Sequence, residues 1–385
     1  MHPEDTKLYI GLMSGTSMDG IDAALVRFPK QGMELIATYS HSWPNFLQQE
    51  LKKLITPGHD EINRLGELDI LAANEFALAV QKLLAKASIP ASAVAAIGSH
   101  GQTIRHRPDA KTAFTLQIGD PNRIAECTEI TTVADFRRRD MAAGGEGAPL
   151  VPAFHNTLFR SNAEYRCILN IGGIANITLL PPKSGGTITG FDTGPGNCLM
   201  DSWAARHIHS SFDKQGKWAT TGKIHPALLK DMLADSYFNR PHPKSTGREY
   251  FNLEWLEKSL SLHTALLPED IQATLAALTT QSIANAIRTI APECKRVLIC
   301  GGGIHNPVLL RQLQFELPYC CIESTGNYGA DPDWVEAIAF AWLAQQTMLG
   351  LSGNLPSVTG ALRPVILGGI FQGALPTSHK NHTTA

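Results

Sequence analysis

The strongest constraint in this chain is a layout that occurs twice. Residues 9–26, YIGLMSGTSMDGIDAALV, read as an apolar strand, a tight polar turn and a second apolar strand. Residues 166–180, RCILNIGGIANITLL, again give an apolar run, a glycine-rich turn and an apolar run. A third stretch, VLICGGGIHN at 297–306, is a strand that ends in glycines before a helix. Glycines let a ligand come close to the main chain, and hydroxyls with backbone N–H groups suit an anion. A polar hairpin turn can also do nothing but turn, and a glycine turn after a strand occurs in many α/β proteins.

The rest of the chain alternates strands with helices, which predicts open α/β sheets with ligands beyond the carboxyl ends of strands. Residues 33–39 read as a third strand, and Pro44 opens a short helix. From Glu61 to Ala87 the apolar residues Leu65, Leu68, Leu71, Ala72, Phe76, Val80 and Leu83 recur at helical spacing. Val94 to Gly98 is a short buried strand that ends in Ser99, His100, Gly101 and Gln102, and Arg105 to Pro108 reads as exposed loop. Residues 115–118 and 130–134 are further strands. The run DFRRRD at 135–140 holds three arginines, of which Arg137 is best placed to grip a carboxylate in a planar fork. GGEGAP at 144–149 reads as a hinge or a close backbone approach, and the domain boundary is expected between Asp135 and Gly147. The first domain would be 1–140, with 355–375 a candidate to complete it, and the second 141–354. Residues 376–385 read as a disordered tail. The proline-rich polar stretch NRPHPKSTGREY at 239–250 reads as a loop reaching the ligand site.

With 385 residues there is room for two full cores. A net charge of −2 offers no broad attraction for nucleic acid or anionic membrane. No apolar run approaches the roughly 18 residues of a membrane span, and the start has no features of a secretion signal. The 7 cysteines are odd in number and form no C-x-x-C pair, which suits a reducing cytoplasm.

Two residues stand out as chemistry. Asp192 follows an apolar strand in FDTGPGN, where a confined carboxylate could take a proton; it could equally cap the following helix. Glu336 lies near the start of an apolar helix, where it could contact substrate or merely complement the helix dipole. His100 could be a ligand contact or a histidine satisfied by the backbone.

Two hairpin turns in two halves, with one strand–glycine–helix turn, resemble the sugar kinase, actin and heat-shock ATPase superfamily. Within it, MSGTSMDGID, NIGGIANIT, FDTGPGN and CGGGIHN are similar to the anhydro-N-acetylmuramic acid kinase family, over about residues 8–343. The resemblance implies an α/β fold of two ribonuclease-H-like, actin-like ATPase domains with an ATP cleft between them. It implies ATP contacts at Gly15, Thr16, Ser17, Met18, Asp19, Gly20, Ile21 and Asp22, and at Gly172, Gly173 and Asn176. The turn Gly301, Gly302 and Gly303, with Asn306, would border the adenosine. Asp192 would be the base and Glu336 a second catalytic residue in the sugar site. Ser99, His100, Gln102, Arg137 and Gly194 would contact the sugar. Mg2+ would accompany the ATP, with Asp19 as a ligand acting through water. A cytoplasmic homodimer serving cell-wall (peptidoglycan) sugar recycling is also implied, with no nucleic-acid or membrane partner. An ordinary sugar kinase and a non-enzymatic ATP-gated binding protein are the competing readings. The chain contains no G-x-x-x-x-G-K-[ST], the turn at Gly301 lacks the third glycine of a dinucleotide fingerprint, and Asp19 breaks the hydrolase elbow pattern at Gly15.

Overall fold

The computed structural model describes residues 6–15, 17–30, 32–263 and 265–373. Thr16 of the first turn and the tail 376–385 lie outside the described residues. In chain order the first elements are β1 (Leu8–Met13), β2 (Gly20–Arg27), β3 (Glu34–Ser42), α1 (Asn45–Leu54), α2 (Glu61–Ala87) and β4 (Val94–Ser99). They continue with β5 (Gln102–Arg107), β6 (Phe114–Ile118), α3 (Pro121–Thr128), β7 (Thr132–Ala134), α4 (Phe136–Ala142) and α5 (Val151–Phe159). Then come β8 (Arg166–Ile171), β9 (Ile174–Leu180), β10 (Thr189–Pro195), α6 (Cys198–Ile208), α7 (Pro226–Leu233), α8 (Leu253–Leu260) and α9 (Pro268–Ile290). The last are β11 (Arg296–Cys300), α10 (Pro307–Glu316), β12 (Cys321–Ser324), α11 (Val335–Met348), α12 (Pro356–Thr359) and β13 (Gly369–Phe371).

The chain divides into two compact units, 1–154 with 334–385 and 155–333. The sheet of the first runs β13-β7-β4-β1-β2-β3, and that of the second β10-β9-β8-β11-β12. In both, three antiparallel strands lead the sheet, and the first of them pairs in parallel with a later strand. One strand order used twice is a duplicated α/β architecture, and it puts an equivalent hairpin turn in each unit.

Each unit has its own core. In the first, α2 lays Leu68, Ala72, Phe76, Val80 and Leu83 against Ile10, Leu12 and Leu25 of the sheet. On the other face α11 packs with its backbone almost touching the strands. A Cβ at Gly11 would collide with Ala337 O, and one at Gly98 with Phe340 O. Only glycine allows that approach, and it fixes where α11 begins and therefore where Glu336 sits. In the second unit Ile171, Ile177, Phe191, Leu275, Ile283 and Ile299 lie in the core.

Three expectations change. The glycine run 144–147 is a close backbone approach rather than a hinge between domains: a Cβ on Gly145 would collide with Asp140. It is pinned inside the first unit, where Asp140 accepts from Gly147 N (2.9 Å), Asn354 Nδ2 (2.7 Å) and Thr359 Oγ1 (2.8 Å). The helix α11, placed in the second domain by its position in the chain, packs on β1 and β4 of the first. Residues 105–107 are strand, and the Arg105 guanidinium is buried on Leu54 O and Glu61. The segment after Leu355, the candidate to complete the first domain, returns as β13, antiparallel to β7.

Candidate functional site

The register of the second sheet builds one half of the chemistry. Asn170 lies opposite Asn176, and Asn176 lies opposite Asp192, so three polar residues share adjacent strands next to the second turn. Asp192 was expected just past a strand; it lies inside β10, at a register shift before Gly194. Its main chain is held on both sides: its N–H donates to Lys244 O (3.0 Å), and its C=O accepts from Tyr237 OH (2.7 Å). One carboxylate oxygen accepts from Thr246 N (3.0 Å). Among the described residues the other oxygen has no donor. Burial pushes this carboxyl up to about 6; the Thr246 N–H opposes the shift and the Glu249 charge adds to it. A carboxylate without a cation, with its pKa near the working range, has the character of a general base.

The turns meet here too. Gly172 O and Gly173 O accept from Asn197 N (2.8 Å) and Cys198 N (3.0 Å), which ties the second turn to the start of α6. The Gly301–Gly303 turn packs on the end of β8, against Asn170 and Ile171. Asn306 caps α10 through Val308 N (3.1 Å). Gly194, expected at the sugar, has φ +144°, and a Cβ there would meet Phe238 and Ser282.

The first unit holds a second set. Ser14 Oγ lies 2.7 Å from Gly20 O and 2.8 Å from Gln102 Oε1, while Gln102 Nε2 donates to Gly15 O (3.3 Å). Gln102 thus braces the first turn. Met18 and Ile21 are fully buried, so their side chains are closed to any ligand. Asp19 is exposed, and Gly15 and Ser17 are partly exposed. Asp22 is half-buried in β2.

Arg137, on α4, donates from Nε (3.1 Å) and Nη2 (2.9 Å) to His100 Nε2, and from Nη1 to Gly147 O (2.9 Å). That uses three of the five guanidinium N–H groups and leaves two without a partner among the described residues. Since Nε2 of His100 is the acceptor, the imidazole is neutral with its proton on Nδ1. Burial and the Arg137 charge hold it at about 3, against the carbonyls of Gly101 and Ser14. Burial brings Arg137 down to about 10, with Glu336 and then Asp140 opposing. Glu336 is open to solvent at its surface, yet the surrounding protein raises its pKa, Arg137 opposing and Asp22 adding. Ser99 Oγ is buried with no hydrogen-bond partner among the described residues. Two shallow depressions elsewhere on the second unit contain none of these residues.

Tyr237, Lys244 and Thr246 are the contributors that sequence reading left unnamed. The polar loop at 239–250 was the available signal, but nothing in it says which residue meets Asp192.

A duplicated α/β architecture with glycine turns and a half-buried, cation-free aspartate suits an enzyme that transfers phosphate. The anhydro-N-acetylmuramic acid kinase pattern matches residues 7–373. The chain is 54% identical over 363 residues to the anhydro-N-acetylmuramic acid kinase of Shewanella oneidensis, covering 94% of this chain and 98% of the relative. It is 50% identical over 375 residues to that of Xanthomonas axonopodis pv. citri, covering 96% and 100%. Among solved structures it is similar to the activator of 2-hydroxyisocaproyl-CoA dehydratase from Clostridium difficile with bound ADPNP, at TM-score 0.45, 13% identity and coverage of 87% and 92%. A ROK family glucokinase from Streptomyces griseus gives TM-score 0.39 at 12% identity, covering 88% and 99%. The chain belongs to the anhydro-N-acetylmuramic acid kinase family. It is an ATP-using enzyme that transfers phosphate to an alcohol group. No helix among the described residues is long and apolar enough to cross a membrane.

Proposed function

We propose that the enzyme opens the 1,6-anhydro bond of anhydro-N-acetylmuramic acid with water while phosphorylating the freed oxygen. Water attacks C1 and gives a proton to Asp192. The C1–O6 bond breaks, and O6 takes the γ-phosphoryl group from ATP. The products are N-acetylmuramic acid 6-phosphate and ADP. The observation that supports Asp192 as the base is its environment: one oxygen held by Thr246 N, the other without a donor, and no cation to keep it ionised. An ordinary sugar kinase would use the same residue on a sugar hydroxyl.

The Arg137 fork, oriented by His100 and Gly147 O, is assigned to the lactyl carboxylate of the sugar. Ser99, Gln102, Gly194 and Glu336 are assigned to the sugar site, with Gln102 acting through the turn it braces. Main-chain N–H groups of the turns 15–22 and 172–176 are assigned to the phosphates, and Gly301–Gly303 with Asn306 to the adenosine. Among the described residues no three His, Cys, Asp or Glu gather as a metal cage. That fits Mg2+, which keeps waters and phosphate oxygens as ligands and needs few carboxylates. The exposed Asp19 would hold it through water, and the ion would neutralise phosphate charge. We further assign the enzyme to the cytoplasm, as a homodimer that recycles peptidoglycan sugar.

Asp192→Asn tests the reading. Turnover should fall by about 10²–10⁴ while ATP affinity, measured by calorimetry, stays within about threefold. Wild-type turnover in that variant would remove Asp192 as the base.

A further inference from the structure

The loop that carries Thr246 also carries Arg248. This loop is fastened to the base at two points, through Lys244 O and Thr246 N. It is buttressed from behind. Lys244 Nζ donates to Tyr237 O and Phe238 O (both 3.0 Å), and Gly247 O accepts from Tyr250 N and Phe251 N (both 3.1 Å). Asp235 accepts from Tyr237 N (2.8 Å), Tyr250 OH (2.8 Å) and Trp255 Nε1 (2.9 Å), which fixes the frame around it.

From that frame the Arg248 side chain reaches the second turn. A Cβ on Gly173 would lie 2.9 Å from Arg248 Nε, 3.0 Å from Nη2 and 3.3 Å from Cζ. The missing side chain at Gly173 is the space the guanidinium uses. Among the described residues Arg248 makes no hydrogen bond and no ion pair. Its charge is also felt at the start of α6: burial pushes the Cys198 thiol up to about 12, and Arg248 is the leading influence in the opposite direction. A cation beside a helix N-terminus sits at the wrong end of the helix dipole, and an anion bound there removes the conflict. Arg248 is exposed, yet its guanidinium lies over a glycine turn instead of pointing away from the protein.

We propose that Arg248 is a catalytic residue for phosphoryl transfer. This rests on the reading that the Gly172–Gly173 turn contacts the phosphates of ATP. As the bond between the γ-phosphorus and the β,γ-bridging oxygen breaks, its electron pair stays on ADP. The new O6–phosphorus bond forms, and the guanidinium neutralises charge on the transferring oxygens. Arg248 donates hydrogen bonds and exchanges no proton. One short loop, Lys244 to Arg248, then both holds the base and carries the phosphoryl stabiliser. Water attack and phosphate departure are placed by the same piece of chain.

The test compares Arg248→Ala, Arg248→Lys and Gly172→Ala in the full-length enzyme. Arg248 is exposed, so its removal should leave folding intact, which thermal melting checks. Arg248→Ala should lower kcat by about 10²–10³ with the sugar KM within about threefold. It should also weaken ADP–aluminium fluoride binding far more than binding of a non-hydrolysable ATP analogue. Arg248→Lys should recover part of kcat, since it returns the charge without the fork. A kcat within about threefold of wild type in Arg248→Ala would overturn the proposal. Gly172→Ala separates it from the reading beneath. A Cβ there meets only Ile174 O, at 3.5 Å, so the fold accepts it. If that variant raises the ATP KM while Arg248→Ala is normal, the turn holds phosphate and only Arg248 is misassigned. If ATP KM is unchanged in Gly172→Ala, the turn does not hold phosphate and the proposal falls with it.

Discussion

Two charged groups show how differently this chain treats ions in its interior. Asp192 is held by backbone and a tyrosine hydroxyl, with one N–H on its carboxylate and no counter-ion, and its pKa rises to about 6. Arg137 is held by a neutral histidine and a carbonyl, with Glu336 and Asp140 countering its burial. Fixing a carboxylate without a cation leaves it ready to take a proton. Fixing a guanidinium through neutral acceptors leaves its charge for an anionic ligand. The first arrangement suits chemistry and the second suits anchoring, so mutations at the two places should fail in different ways.

The largest effect should come from the base: Asp192→Asn loses kcat, as stated above, and leaves the sugar KM nearly unchanged. Arg137→Ala should do the reverse. Loss of a charge-assisted anchor raises the sugar KM about 10–100-fold, and kcat should change less; steady-state kinetics on both substrates separates the two patterns. Equal loss of kcat at both positions would erase the distinction between base and anchor.

Asp140→Ala sharpens the anchor side. It strands Gly147 N, Asn354 Nδ2 and Thr359 Oγ1 without their acceptor. Stability should fall by about 3–5 kcal/mol in denaturant melts. Because Gly147 O orients Arg137, sugar KM should rise in the folded fraction. That rise should be absent when Arg137 is already alanine.

The smaller effects concern pH. Asp192 must be ionised to act, so kcat/KM should fall about tenfold per unit as pH drops below about 6, in a pH–rate profile. Stability runs the other way, because the raised pKa means that folding disfavours the ionised form. That cost is absent below the ordinary value of 3.8, grows up to about 6 and is constant above it. Asp192→Asn should therefore melt higher than wild type at pH 8, by about 1–2 kcal/mol of stability, with the gain shrinking towards pH 4.

Both hairpins and the two-unit plan were readable in the sequence because each rests on local pattern: apolar runs, glycines and a repeated order. Whatever depended on distant partners was not. Gly11 and Gly98 look like strand residues until α11, far along the chain, lies across them. Arg105 looked exposed because its partners, Leu54 O and Glu61, come from α1 and α2. The run at 144–147 looked like a hinge because Asn354 and Thr359, which hold Asp140 in place beside it, arrive with the last segment. Asp192 was identifiable by type, but its place inside β10 comes from a register shift that no composition announces.

The most direct measurement follows oxygen. The enzyme is incubated with ATP, Mg2+ and anhydro-N-acetylmuramic acid in heavy-oxygen water. Product mass and label position are read against a control of the free phosphorylated sugar, which corrects for spontaneous exchange at C1. The account predicts a product heavier by phosphate plus one water, with the label at C1 and none in the phosphate, and ADP formed in equal amount. A phosphorylated sugar that keeps its anhydro ring, or label found on phosphorus, would contradict it.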